Sequence, residues 1–244
     1  LNFIVRKSCY FFIMLIIKLM KKLKLLSCLS MVTVATSTAV VLTSCSSNSE
    51  DPYSESVLHK RFDMFNKKAD PDQTYTNMLI GDSFLDMMRD EENTGIDFDT
   101  TYPNSFNYSV GGSTFAYWEK WVSEIVVKNS PEKIWINLGI NDLFFRTDPL
   151  TINENAILLF TKLRIKYPTS KIYVFNIVKA PLKTEKWTEI EDFNQWLSQN
   201  KEVLNIDEIC DVCSRMNEAD CFKDDKLHPS LKGYSYYFDF MNKY

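Results

Sequence analysis

Met78-Leu79-Ile80-Gly81-Asp82-Ser83-Phe84 is the stretch that decides the architecture: a short apolar run breaks at a glycine and passes directly into polar residues where a helix begins. An apolar run of this length, bounded by a turn signal, reads as a buried strand feeding a helix. The same grammar recurs along the chain. Candidate strands are Met78–Ile80, Phe106–Val110, Ile134–Leu138 and Ile172–Val178, with a weaker fifth at Val203–Ile206. Between them Phe115, Trp118, Val122 and Ile125 recur at helical spacing, as do Ile152, Ala156, Leu159 and Leu163 ahead of Pro168. Leu231, Tyr234, Phe238 and Met241 repeat the pattern at the end. Strands alternating with helices imply an α/β fold, a three-layer α/β/α sandwich on a mostly parallel sheet of about five strands.

In such sheets ligands bind beyond the carboxyl ends of the strands. Of only six glycines in the chain, Gly81, Gly111, Gly112 and Gly139 each follow an expected strand. Glycine there permits tight turns and close approach of a backbone N–H to a bound group. Beside them stand Ser83, within Gly81-Asp82-Ser83-Phe84, and Asn141, within Gly139-Ile140-Asn141-Asp142. A serine at a helix start ordinarily caps it, and an asparagine in a loop ordinarily shapes a turn. The chain has two histidines, and His59 precedes the first strand, so His228 in Asp225-Lys226-Leu227-His228-Pro229 is the candidate base.

The chain has 244 residues, room for one well-buried domain. The first 44 residues hold six bases and no acid, so the remainder carries 22 basic and 32 acidic side chains, a net charge of −10. That balance repels a phosphate backbone and argues against nucleic-acid binding.

From Met20 a basic segment, an apolar run and small residues lead to Leu42-Thr43-Ser44-Cys45, which resembles a bacterial lipobox. The expectation is a signal peptide at 20–44, a lipidated Cys45 opening a tether over 45–72, and a folded domain at 73–244. Residues 1–19 have no clear role and are read as an extension ahead of the true start. The protein is then exported and lipid-anchored at the cell membrane or outer membrane; the competing reading is a retained transmembrane helix.

Taken together, GDSF at 81–84, NYSVGGST at 107–114, GIND at 139–142 and DKLHP at 225–229 resemble the four separated blocks of the SGNH (GDSL-type) hydrolases, in order and rough spacing. The stretches SVGGSTFAYW and IWINLGINDL are most similar to the bacterial branch related to platelet-activating-factor acetylhydrolase. The resemblance implies a flavodoxin-like SGNH hydrolase fold and a carboxylic ester hydrolase working through an acyl-enzyme. Ser83 would be the nucleophile, His228 the base and Asp225 its orienting acid, with the oxyanion hole formed by the N–H groups of Ser83 and Gly112 and the side chain of Asn141. The substrate would be a small-molecule, carbohydrate or lipid ester bearing an acetyl or short acyl group. Alternatives are a non-catalytic surface-tethered binding protein on the same fold, or an acyltransferase.

No cofactor is implied, and a monomer is expected. Cys210, Cys213 and Cys221 are odd in number; in an exported chain one disulfide among them is expected, with the pair undetermined. A zinc site there lacks a fourth ligand, because His228 is already assigned. Trp121 and Trp187 are the candidates for sugar stacking, against a core role for most of the five tryptophans.

Overall fold

The computed structural model describes residues 51–145 and 149–244. The signal segment and Cys45 lie outside them, and no helix among the described residues is long and apolar enough to cross a membrane.

In chain order the principal elements are α1 (Glu55–Asn66), β1 (Asn77–Gly81), α2 (Ser83–Asp86), α3 (Glu91–Thr94), α4 (Phe98–Thr101), β2 (Ser105–Asn107), α5 (Phe115–Trp121), β3 (Lys133–Asn137), α6 (Ile140–Phe145), α7 (Pro149–Lys166), β4 (Lys171–Phe175), α8 (Trp187–Gln199), β5 (Glu208–Cys210) and α9 (Leu231–Lys243). The five strands form one sheet in the order β2-β1-β3-β4-β5. Every pairing is parallel, with Leu79 opposite Asn107 on one side and Trp135 on the other. The order reverses around β1, whose neighbours β2 and β3 lie on opposite sides of it, and such a switch point opens a crevice at the strand ends.

Burial on both faces explains the unbroken apolar runs of the central strands. Met78, Leu79, Ile80, Ile134, Trp135 and Ile136 are all fully buried. On one face Trp135 stacks on Tyr173 at 4.5 Å, and Phe175 meets Tyr237 of α9 at 4.7 Å. On the other, Phe115 of α5 meets Phe160 of α7 and Phe193 of α8. The expected stripes on α5 and α7 are buried throughout.

Three expectations are corrected. The fifth strand is Glu208–Cys210, not Val203–Ile206: Asn205 takes a positive φ of 53°, which ends extended backbone there, and Val203 is exposed. The terminal stripe is Tyr234, Tyr237, Phe238 and Met241, with Leu231 left outside at the helix start. The expected disulfide is absent: Cys210, Cys213 and Cys221 are all free. Cys210 ends β5 in the core, where burial pushes its thiol up to about 12, the behaviour of a small packing residue.

The stretch expected as a tether also contains structure. Ser54 caps α1, accepting from Val57 N, and the helix buries Leu58 and Phe62. Phe62 packs edge-on against Trp118, and Tyr117 donates its hydroxyl to Leu58 O at 3.1 Å. The folded unit therefore reaches back past residue 73.

Candidate active site

Strand β1 stops where Gly81 meets β3. A Cβ at Gly81 would stand 2.7 Å from Asn137 O, so only glycine lets the two backbones close there. Asp82 then donates its N–H to Asn137 O at 3.1 Å. The cap of α2 is Asp82, whose carboxylate accepts from Phe84 N at 3.0 Å. Ser83 is thereby released from the capping role a serine ordinarily takes here, and its Oγ lies 2.9 Å from His228 Nε2. Asp82 is fully buried; burial, its largest influence, pushes its carboxyl up to about 8, and Oδ2 has no hydrogen-bond partner among the described residues.

The loop after β2 is sewn to this corner. Val110 N and Ser113 Oγ donate to Gly81 O at 2.9 Å each, and Trp118 Nε1 joins them at 3.2 Å. Asn107 donates its side-chain amide to Leu85 O at 2.6 Å and accepts from Ser109 N. Gly111 donates its N–H to Asp86 Oδ2 at 2.8 Å. Gly112 follows at φ +84°, a conformation L side chains rarely adopt, and its N–H meets no acceptor among the described residues. The loop after β3 joins the same cluster: Asn141 spends one amide hydrogen on Ser113 O at 3.0 Å, which leaves the other available, and Asp142 accepts from Phe115 N.

The acid and the imidazole arrive on a separate turn. Phe222 and Pro229 form an antiparallel bridge, and Lys223 N donates to His228 O at 2.8 Å, closing a narrow loop. Lys226 takes φ +59° at its tip, and Leu182 N donates to Lys226 O. This turn brings Asp225 Oδ2 within 2.6 Å of His228 Nδ1. Asp225 Oδ1 accepts from the N–H groups of Leu227 and His228 at 2.9 Å each. Burial pushes the Asp225 carboxyl up, but the His228 side chain and these two backbone donors outweigh it and hold the group below its ordinary value.

All five residues singled out from the sequence thus converge on one place: Ser83, Gly112, Asn141, Asp225 and His228. His59 lies elsewhere, stacked on Trp121 at 3.8 Å, so neither is part of the cluster. Trp187 is partly exposed and donates its indole N–H to Ala180 O. The sequence reading missed Asp82, Asp86 and Arg61. Asp82 was hidden by the assignment of capping to serine; Asp86 carries a weak signal, being one turn beyond Ser83; Arg61 carries none, because nothing in its neighbours announces a partner fifty residues away.

A serine, an imidazole and a carboxylate in hydrogen-bond sequence, at the switch point of a parallel sheet, define a site of the serine-hydrolase type. The model of the GDSL-like Lipase/Acylhydrolase family matches residues 79–236, and the chain belongs to that family of ester hydrolases. The fold is shared with a GDSL-like lipase from Bacteroides thetaiotaomicron, at 16% identity and a TM-score of 0.63 over 76% of this chain and 95% of that one. It is similarly shared with the psychrotrophic esterase EstA from a Pseudoalteromonas species, in a structure inhibited by monoethylphosphonate, at 18% identity and a TM-score of 0.50 over 69% and 97% of the two chains. No curated protein sequence matches the chain.

Proposed function

We propose that the protein is an exported, lipid-anchored serine esterase that removes acetyl or short acyl groups from carbohydrate or lipid through an acyl-enzyme. The observation that carries the reading is the unbroken row Asp225 Oδ2, His228 Nδ1, His228 Nε2, Ser83 Oγ, at 2.6 and 2.9 Å, ending beside unspent donors at Gly112 and Asn141. Ser83 Oγ attacks the ester carbonyl while its proton passes to His228 Nε2. The tetrahedral oxyanion forms against the N–H groups of Ser83 and Gly112 and the second amide hydrogen of Asn141, which are fixed before charge develops. The C–O bond breaks, the alcohol leaves with the proton held by His228, and the acyl group stays on Ser83. Water then attacks the acyl carbonyl as His228 Nε2 takes its proton, the bond between the acyl carbon and Ser83 Oγ breaks, and His228 returns the proton to Ser83 Oγ as the acid departs. Asp225 holds the tautomer in which Nδ1 carries hydrogen and stabilises the imidazolium.

Export and anchoring rest on the segment from Met20 to Cys45. The mass of the mature N-terminal peptide tests them: a diacyl- or triacyl-modified Cys45 is expected, and an unmodified peptide continuous with residues 20–44 contradicts them.

A panel of p-nitrophenyl esters of rising chain length, with acetylated sugars alongside, tests the reaction and its substrate. Turnover falling from acetate and butyrate to longer chains is expected. Absence of ester hydrolysis contradicts the catalytic reading, and a preference for long chains contradicts the short-acyl assignment.

A further inference from the structure

Helix α1 and the residues before it lie outside the family match, yet they press on the loop that carries the unspent donor. A Cβ on Gly112 would stand 2.5 Å from Tyr53 Cδ1 and 3.1 Å from its Cε1, so the tyrosine ring covers the Cα face of that glycine. A Cβ on Gly111 would stand 3.5 Å from both Arg61 Nη1 and Ser83 Cβ, so the guanidinium and the serine both flank this glycine. Arg61 Nη1 donates to Gly111 O at 3.4 Å, while Nη2 pairs with Asp86, the carboxylate that accepts the Gly111 N–H. Both polar groups of Gly111 are therefore held.

Gly111 O and Gly112 N–H belong to one planar peptide unit, and that unit is trans. The two bonds point in opposite directions, so a donor that fixes the oxygen also fixes the direction of the N–H. A cation on the oxygen further polarises the amide and strengthens the hydrogen it presents on the other side. Asp86 cannot serve this purpose alone, because it holds the preceding peptide. Arg89, which also pairs with Asp86, donates to Asn107 O and Ser109 O rather than to Gly111.

We propose that Arg61 is a positioning residue of the oxyanion hole, acting through the Gly111–Gly112 peptide, and that Tyr53 closes the outer face of the same peptide. The N-terminal arm is then a working part of the site; this rests on the serine-esterase reading above.

The experiment uses the full folded chain and its six glycines, which give six resolvable amide signals after selective ¹⁵N-glycine labelling. In Arg61→Gln the Gly112 amide signal is expected to move upfield while those of Gly139 and Gly233 stay. In the same variant kcat on p-nitrophenyl acetate falls about 10- to 50-fold, short of full loss of a donor, with KM and melting temperature near those of the parent. Arg61→Lys keeps a cation on the oxygen and recovers most of both readouts. Tyr53→Ala, at an exposed ring that leaves the core intact, shifts the same signal and lowers kcat about 3-fold, a small fraction of what one donor supplies. An unmoved Gly112 signal, or kcat within twofold of the parent in folded Arg61→Gln, overturns the proposal. If Arg61→Gln does not fold, Tyr53→Ala decides it: a Gly112 signal and a kcat both unchanged from the parent overturn it. A parent protein that hydrolyses no ester sinks the esterase reading instead, and leaves the Gly112 signal to report separately on the clamp.

Discussion

The nucleophile corner and the acid–histidine turn are built on opposite plans. Around Ser83 the chain is buried and tied strand to strand: Asp82, Ser113 and Trp118 are fully enclosed, and Gly81 O alone takes three donors. Around His228 the turn is open, with side-chain exposures of 22% for His228 and 47% for Asp225, and it keeps its shape through its own short bonds. The difference follows from what each side does. Oxyanion donors lose value if they must reorganise during reaction, so they sit in the rigid interior. A general base must exchange protons with an alcohol and with water, so it sits at the rim.

The largest effects are expected on the open side. His228→Asn removes the base and should lower kcat/KM roughly 10⁶-fold, whereas Asp225→Ala should cost roughly 10⁴-fold, since an exposed imidazole can still be oriented in part by water. Steady-state kinetics on a single p-nitrophenyl ester compares them; a larger loss for Asp225→Ala would mean the acid does more than orient. On the buried side, Asn141→Ala should lower kcat about 10²- to 10³-fold with little change in KM, as expected for a donor engaged in the transition state. A loss confined to KM would place Asn141 on the ground-state substrate instead.

The last effect falls on stability rather than on turnover. Asp82 is held uncharged in the fold, with its carboxyl pushed up from 3.8 to about 8 by burial first of all. Because the folded-state value is raised, its stabilising contribution is complete below the unfolded pKa near 3.8 and is lost as pH rises toward 8. Asp82→Asn keeps the acceptor that caps α2 but cannot ionise. The melting temperature of Asp82→Asn relative to the parent should therefore climb as pH rises from 5 toward 8 and level off above. A difference that does not vary with pH would show that Asp82 is ionised in the fold.

The sheet and the five site residues were readable because each is announced locally: apolar runs end at glycines, and polar residues follow at once. Glu208–Cys210 escaped because an edge strand three residues long, opening on a charged side chain, has no apolar run to mark it. Leu231 departs from the expected stripe because at the first position of a helix, spacing alone does not fix the phase. The cysteines misled because their count signals an exported disulfide, whereas their burial answers to packing. Helix α1 and Arg61 differ from the expected tether because their role is set by long-range contacts with Gly111 and Asp86, which leave no local pattern.

Phosphonylation is the most direct check on whether Ser83 is the group His228 activates. A fluorophosphonate should give one adduct per chain, mapped by peptide mass to Ser83, formed far more slowly in His228→Asn and absent in Ser83→Ala together with ester turnover. An adduct on another residue, or a Ser83→Ala variant that still turns over ester at the parent rate, would contradict the account.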